Sequence, residues 1–214
     1  RAYYGGWTRC QSVPFDVSIG VAESSDGINF HKMGRGPVLT SSLLEPFVIS
    51  SPKIRNFNGT WQLFYIAGTK WKIVNNRPEP VYKIRLALSK DGLTWSKYNK
   101  DLIPSKVELD EAQASPDVFF SNGKFHMFFS YRYSSDFRSR EFGYRIGYAY
   151  SHDLYTWHRD DSLVGITVSS TGWDSEMVSY AHVFELNKKL YMAYLGNEVG
   201  RFGFGIAELQ GVLV

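Results

Sequence analysis

One short pattern occurs three times in this chain, and it limits the chain to a repeat architecture. Ser18-Ile19-Gly20-Val21-Ala22-Glu23-Ser24-Ser25-Asp26-Gly27 returns as Ile84-Arg85-Leu86-Ala87-Leu88-Ser89-Lys90-Asp91-Gly92. It returns again as Ile146-Gly147-Tyr148-Ala149-Tyr150-Ser151-His152-Asp153-Leu154. The shared alanines, Ala22, Ala87 and Ala149, lie 65 and then 62 residues apart. A fixed period of this size marks stacked supersecondary units. Each copy alternates apolar and polar residues, reaches a Ser-x-Asp turn and resumes on an aromatic, which predicts two strands joined by a tight turn.

A second pattern is interleaved with the first. Ser51-Pro52-Lys53-Ile54 runs through Asn58-Gly59 to Trp61-Gln62-Leu63-Phe64-Tyr65. Ser115-Pro116-Asp117-Val118 runs through Asn122-Gly123 to Phe125-His126-Met127-Phe128-Phe129, and Tyr180-Ala181-His182-Val183 runs through Asn187 to Leu190-Tyr191-Met192-Ala193-Tyr194. Asn-Gly between alternating strands is a strong hairpin signal. The two patterns together predict four antiparallel strands about every 64 residues, the unit of a β-propeller blade. The expected fold is an all-β propeller of the five-bladed type, with about three and a half blades here. Residues 1–44 form a partial blade without its inner strand, 45–110 and 111–170 form two blades, and 171–214 form a partial last blade.

Composition excludes several classes. The 214 residues are 43% hydrophobic and 21% charged, as in a soluble globular domain, and the 16% aromatic share suits strands. No apolar run is long enough for a membrane-spanning helix, and no basic-then-apolar leader opens the chain, which begins at Arg1. Cys10 is the single cysteine, so no internal disulfide or thiolate metal cluster forms. A cytosolic location is favoured, with export after signal removal left open. The net charge of +3 is spread among interspersed residues, unlike a nucleic-acid-binding face. The densest basic stretch, Tyr131-Arg132 to Tyr144-Arg145, reads as a solvated hairpin loop, or as a place where an arginine meets an acidic ligand group. The five histidines show no metal-ligand spacing, no nucleophile elbow or phosphate-cradling loop is present, and no cofactor is expected.

Val13-Pro14-Phe15, Gly36-Pro37-Val38-Leu39, Glu45-Pro46-Phe47, Ser51-Pro52, Tyr131-Arg132, Tyr144-Arg145-Ile146-Gly147-Tyr148 and Gly172-Trp173-Asp174-Ser175-Glu176-Met177 occur in order along the whole chain. Together they resemble the glycoside-hydrolase-like five-bladed propellers found beside bacterial surface-polysaccharide genes, relatives of the family 43, 32 and 130 enzymes. The Ser-x-Asp turn is also similar to the Asp-box of sialidases, but Asp26-Gly27 and Asp91-Gly92 lack that motif's intervening residue.

The resemblance implies cleavage of glycosidic bonds by carboxylates that converge at the channel mouth. Glu176 is then the first candidate acid, entering an inner strand among apolar neighbours that would raise its pKa; otherwise it is a loop residue capping a turn. Asp117, after Ser115-Pro116, is a second channel carboxylate or a residue bonded to nearby backbone. Glu45 is a third candidate from a loop entering the next inner strand, and Glu111 shares its position one blade later. Trp71 and Trp173, both expected in loops, would stack on sugar faces, with Asp174, Arg132 and His182 as further binding candidates. Asp174 otherwise forms a turn, and His182 otherwise is a hydrogen-bonded strand histidine.

Three readings follow. The first is a glycosidase with Glu176 as acid, assisted by Asp117 or Glu45, acting on an oligo- or polysaccharide. The second is a glycan-binding propeller that has lost a carboxylate, and the third is a scaffold. The hydrolases carry a base or nucleophile on an inner strand ahead of the region where this chain begins. A chain complete from Arg1 would leave open blade edges, for which a homodimer is the expected cover.

Overall fold

The alternation of apolar and polar residues resolves into strands along almost the whole chain. The computed structural model describes residues 1–213 and contains 14 strands in four antiparallel sheets. The first sheet has β1 (Ala2–Arg9), β2 (Phe15–Glu23) and β3 (His31–Lys32), and the second has β4 (Phe47–Phe57), β5 (Thr60–Val74), β6 (Arg77–Ser89) and β7 (Ser96–Lys97). The third has β8 (Ala112–Ser121), β9 (Lys124–Arg132), β10 (Arg145–Ser151) and β11 (Trp157–Arg159), and the fourth has β12 (Ser179–Leu186), β13 (Lys189–Leu195) and β14 (Phe204–Glu208). Spatial order follows chain order in every sheet, so each is a meander of hairpins.

The chain forms two compact units, Arg1–Asp101 with the first two sheets and the rest from Leu102 onward with the last two. Each unit buries the facing sides of its own sheets. In the first unit Ile19, Leu39, Ile49, Leu63, Tyr65, Ala67 and Ala87 form the core, with Tyr3 and Trp95 packed against it. In the second, Phe128, Ile146, Tyr148, Val164, Val178, Ala181 and Met192 do so. Apart from Leu39, Val164 and Val178, which come from connections, these residues lie on the repeated strands, where one face turns inward and is removed from water.

The inner strands share a device that the Ser-Pro motifs announce only indirectly. Register jumps by one extra residue between Ser50 and Lys53, between Ala114 and Asp117, and between Ser179 and His182. In each jump a non-glycine residue takes the left-handed conformation: Ser51 (φ 51°), Ser115 (φ 48°) and Tyr180 (φ 55°). This is a β-bulge repeated in three sheets, and it re-aims the side chains that follow. Lys53, Asp117 and His182 consequently occupy the same rung, opposite Phe64, Phe128 and Ala193.

The Ser-x-Asp turns are built alike. Asp26 Oδ1 accepts the backbone N–H groups of Ile28 and Asn29, both at 2.8 Å, and Asp91 and Asp153 repeat the arrangement. The preceding serine accepts the N–H of Gly27, Gly92 or Leu154, each at 2.9 Å. Those three residues have φ of 75°, 75° and 72°, so Leu154 adopts a conformation that its two counterparts adopt as glycine.

Backbone N–H donors hold the Asp153 carboxyl well below the usual carboxylate range, at about 2. A depressed folded-state pKa adds stability that is complete above the unfolded value, about 3.9. That stability is lost as pH falls towards the folded value. The difference in stability between the protein and Asp153→Asn is therefore expected to be constant above about pH 5 and to shrink between about pH 4 and pH 2. Urea unfolding at stepped pH reads this, and a difference that does not change across the window contradicts it.

Candidate functional site

Antiparallel pairing decides which loops meet at one end of a sheet. In the second, third and fourth sheets, the entry to the first strand and the hairpin between strands two and three share an end, and the Asn-Gly-type turns lie at the other. Within the first unit, that end of the second sheet carries Glu45 and Trp71; within the second unit, that end of the third and fourth sheets carries Glu111, Arg132, Trp173, Asp174 and Glu176.

Glu45 is buried and fully engaged. Its carboxylate accepts the Tyr65 hydroxyl at 2.9 and 3.0 Å, pairs with Lys97 of β7 at 2.7 Å and has Arg85 of β6 at 3.7 Å. Burial, and then the adjacent Glu45 charge, push the Tyr65 hydroxyl far above its ordinary pKa. Glu111 is equally buried. It accepts the backbone N–H groups of Lys106 and Val107 at 3.0 and 3.1 Å, the Gln113 side chain at 2.9 Å and Arg159 of β11 at 2.7 Å. Burial works against the Arg159 charge, but hydrogen bonds to Asp161 and Glu111 outweigh it and hold the pKa up. In both sheets a basic residue of the outermost strand neutralises the carboxylate at the inner strand's entrance.

Glu176 differs. Its side chain is exposed, so the apolar surroundings expected from its sequence neighbours are not there: Met177, Val178 and Ser179 turn inward while Glu176 turns out. Among the described residues no basic group lies within ion-pair distance of its carboxylate. Its backbone is held instead. Asn197 Oδ1 accepts the N–H of Glu176 at 2.8 Å and of Met177 at 3.2 Å, and Arg145 donates to the Glu176 carbonyl at 3.0 Å. Arg145 also donates to the carbonyls of Gly143, Tyr144 and Arg140, and burial lowers its pKa. The loop carrying Glu176 is thus clasped at two points while its carboxylate is presented to solvent.

The other candidates separate clearly. Asp174 is buried and accepts the Tyr194 hydroxyl at 3.1 Å. Trp173 stacks on Tyr194 with centroids 5.4 Å apart and lies against Gly196 and Gly205, where a Cβ would meet the indole at 2.4 and 2.7 Å. Much of its ring therefore faces protein. Arg132 is buried, donates to the Tyr144 hydroxyl and the Tyr133 carbonyl, and lies 3.7 Å from the Phe137 ring centroid, so it anchors the hairpin loop from within. Trp71 lies in strand β5, opposite Pro80, and not in a loop. It meets Phe15 edge-on at 5.4 Å, and Phe15 meets the exposed Trp7 at 4.5 Å.

Asp117 and His182 are brought together by their matching bulges. Asp117 is 2% exposed, and its Oδ2 accepts the Val183 N–H at 2.5 Å and bonds His182 Nδ1 at 3.1 Å. Asp117 does bond backbone, but the N–H is that of Val183 in another sheet rather than a nearby one, and it comes with an imidazole. No three His, Cys, Asp or Glu side chains converge as a metal site among the described residues.

Sequence reasoning missed Lys97, Arg159 and Asn197, and it read Arg145 only as part of a basic stretch, not as a clasp on the Glu176 loop. The first two were detectable, since Lys32, Lys97 and Arg159 pair with the repeated Ala22, Ala87 and Ala149. Arg145 aligns with Lys83, but nothing local marks Asn197.

No family model matches the sequence. An uncharacterized protein of two Mycobacterium tuberculosis strains, CDC 1551 / Oshkosh and H37Rv, is 33% identical over 208 residues, 97% of this chain. The chain spans 66% of the length of those curated relatives. Among solved structures, a thermostable family-43 glycoside hydrolase superimposes with a TM-score of 0.73 at 18% identity, over 98% of this chain and 68% of that one. A Bombyx mori family-32 β-fructofuranosidase gives 0.67 at 19% identity over 97% and 45%, and a family-117 glycoside hydrolase of Zobellia galactanivorans gives 0.62 at 18% over 75% and 52%. At such identities the likeness establishes the fold, an all-β chain of the propeller type.

Replacing Glu45 by Gln removes one partner of a buried ion pair and is expected to lower unfolding free energy by about 3–5 kcal/mol. Glu176→Gln, at an exposed position, is expected to stay within about 0.5 kcal/mol of the parent. Denaturant titration of both variants checks the contrast; equal losses would contradict the assignment of structural and open carboxylates.

Proposed function

We propose that this chain acts on carbohydrate as a glycoside hydrolase, with Glu176 donating the proton to the leaving oxygen. The observation that carries this reading is the contrast among three carboxylates at equivalent strand entrances. Glu45 and Glu111 are consumed by internal cations, whereas Glu176 is exposed on a loop clasped by Asn197 and Arg145. A proton donor in bond cleavage needs a fixed backbone and an accessible carboxyl. The likeness in fold to family 43, 32 and 117 hydrolases adds support, as does the identity of those structures as glycosidases. The five-blade count belongs to the same proposal, since four sheets are described here.

Of the assisting carboxylates expected from the sequence, Glu45 has both oxygens engaged internally and buried Asp117 has its Oδ2 engaged by Val183 and His182. That observation favours a second reading, a propeller that binds glycan without cleaving it. A panel of aryl glycosides and bacterial polysaccharides, offered to the protein and to Glu176→Gln, separates the two. Turnover by the parent that falls by about 10²–10⁴ in the variant is expected. Saturable binding without turnover in both proteins would replace the hydrolase reading with the second.

A further inference from the structure

We propose that Trp7, Phe15 and Trp71 form a glycan-binding platform with Arg9 at its rim. The proposal shares with the reading above the class of ligand, and it does not depend on the role of Glu176. All of these residues belong to the first unit. Trp7 of β1 pairs with Val17 and Arg9 pairs with Phe15, so Trp7, Arg9 and Phe15 share one face of the first sheet. Trp7 and Phe15 are diagonal neighbours with centroids 4.5 Å apart, and Phe15 meets Trp71 at 5.4 Å. Trp71 reaches Phe15 because β5 and β6 continue past Gly68, where the pairing of β5 with inner strand β4 ends. These rings are not core aromatics of the repeat. Trp7 is 65% exposed, and Phe15 and Trp71 are half-buried. Counted from the residues opposite Ala22, Ala87 and Ala149, the position of Trp7 holds Gly68 in the second sheet and buried Arg132 in the third. Blade packing therefore does not call for a tryptophan there, and contiguous apolar surface left in water marks a binding site.

The chemistry of the patch selects its occupant. Phe15 meets both tryptophans at steep angles, 54° and 70°, and one neighbour covers at most one face of an indole. Among the described residues neither the Trp7 nor the Trp71 indole N–H has a hydrogen-bond partner, and the exposed Arg9 guanidinium has none either. The core Trp157 makes the contrast, since its N–H donates to the Leu154 carbonyl at 2.9 Å. A sugar ring presents C–H bonds on its faces and hydroxyls around its edge. The faces suit an aromatic ring, and the hydroxyls accept from indole and guanidinium donors. A protein partner fits less well. Three aromatic side chains bury at most about 250 Å² each, and two of these are already half-buried, short of the ~800 Å² per partner of a stable interface.

Two measurements on the full chain test this, with dextran, mannan, xylan and levan as probes. In 1H–15N spectra the indole signals lost in Trp7→Phe and Trp71→Phe assign the two N–H groups. Both signals are expected to shift in the parent when a bound probe is added, and this result stands even if Trp7→Ala does not fold. In calorimetric titration Trp7→Ala is expected to weaken binding of that probe by about tenfold or more. Phe204→Ala, which removes a ring of similar exposure in the second unit, is expected to bind as the parent does. No binding of any probe by the parent, equal affinity of the parent and Trp7→Ala, or indole signals that do not move would overturn the platform. A parent that sediments as a dimer beside a monomeric Trp7→Ala assigns the patch to a second copy and overturns it as well. Binding that needs Trp7 in a parent without turnover removes the hydrolase reading and leaves the platform standing.

Discussion

A buried carboxylate at the entrance of an inner strand must be neutralised, and in this protein the countercharge comes from the far edge of the same sheet. Lys97 and Arg159 sit on outer strands of only two and three residues, β7 and β11, too short to be held by ladder hydrogen bonds alone. Their ion pairs with Glu45 and Glu111 tie the first and last strands of each four-stranded sheet to one loop. In a poorly solvated setting neither charge tolerates the loss of its partner. Within each unit the same contacts therefore hold the sheet's edge and fix the loop that enters its inner strand.

The second constraint is the inner-strand bulge. Side chains alternate across a strand, so one inserted residue exchanges the faces of everything after it. Without the extra residue at Ser115, Asp117 would exchange faces and leave His182 and Val183 without their acceptor. The cost is a left-handed serine or tyrosine in place of glycine, repeated three times. Strain kept at three equivalent positions is the kind found where side-chain direction matters.

The fold was legible in the sequence because its signals are local. Period-two alternation, Asn-Gly turns and Ser-x-Asp turns each act within a few residues, and together they give strand order. Trp71 was misplaced because the β5–β6 hairpin runs past the inner strand; Asn75 and Asn76, with φ of 49° and 60°, make its turn without a glycine. The site was less legible because its bonds are long-range. Asp117 reaches His182 across 65 positions, Asn197 reaches back to Glu176 across 21, and Arg145 spends its donors on carbonyl oxygens, which carry no residue signature.

Repetition also explains why position alone does not separate an open carboxylate from a structural one. Three sheets present a glutamate at the same entrance, and sequence spacing treats the three alike. What separates them is a residue on another strand: Lys97 for Glu45, Arg159 for Glu111, and only backbone-directed partners for Glu176. A buried carboxylate locked against cations has no room to meet a ligand, whatever its place in the repeat. An exposed one on a clasped loop keeps that room, so the least regular member of the repeat is the one whose carboxylate is open to a ligand.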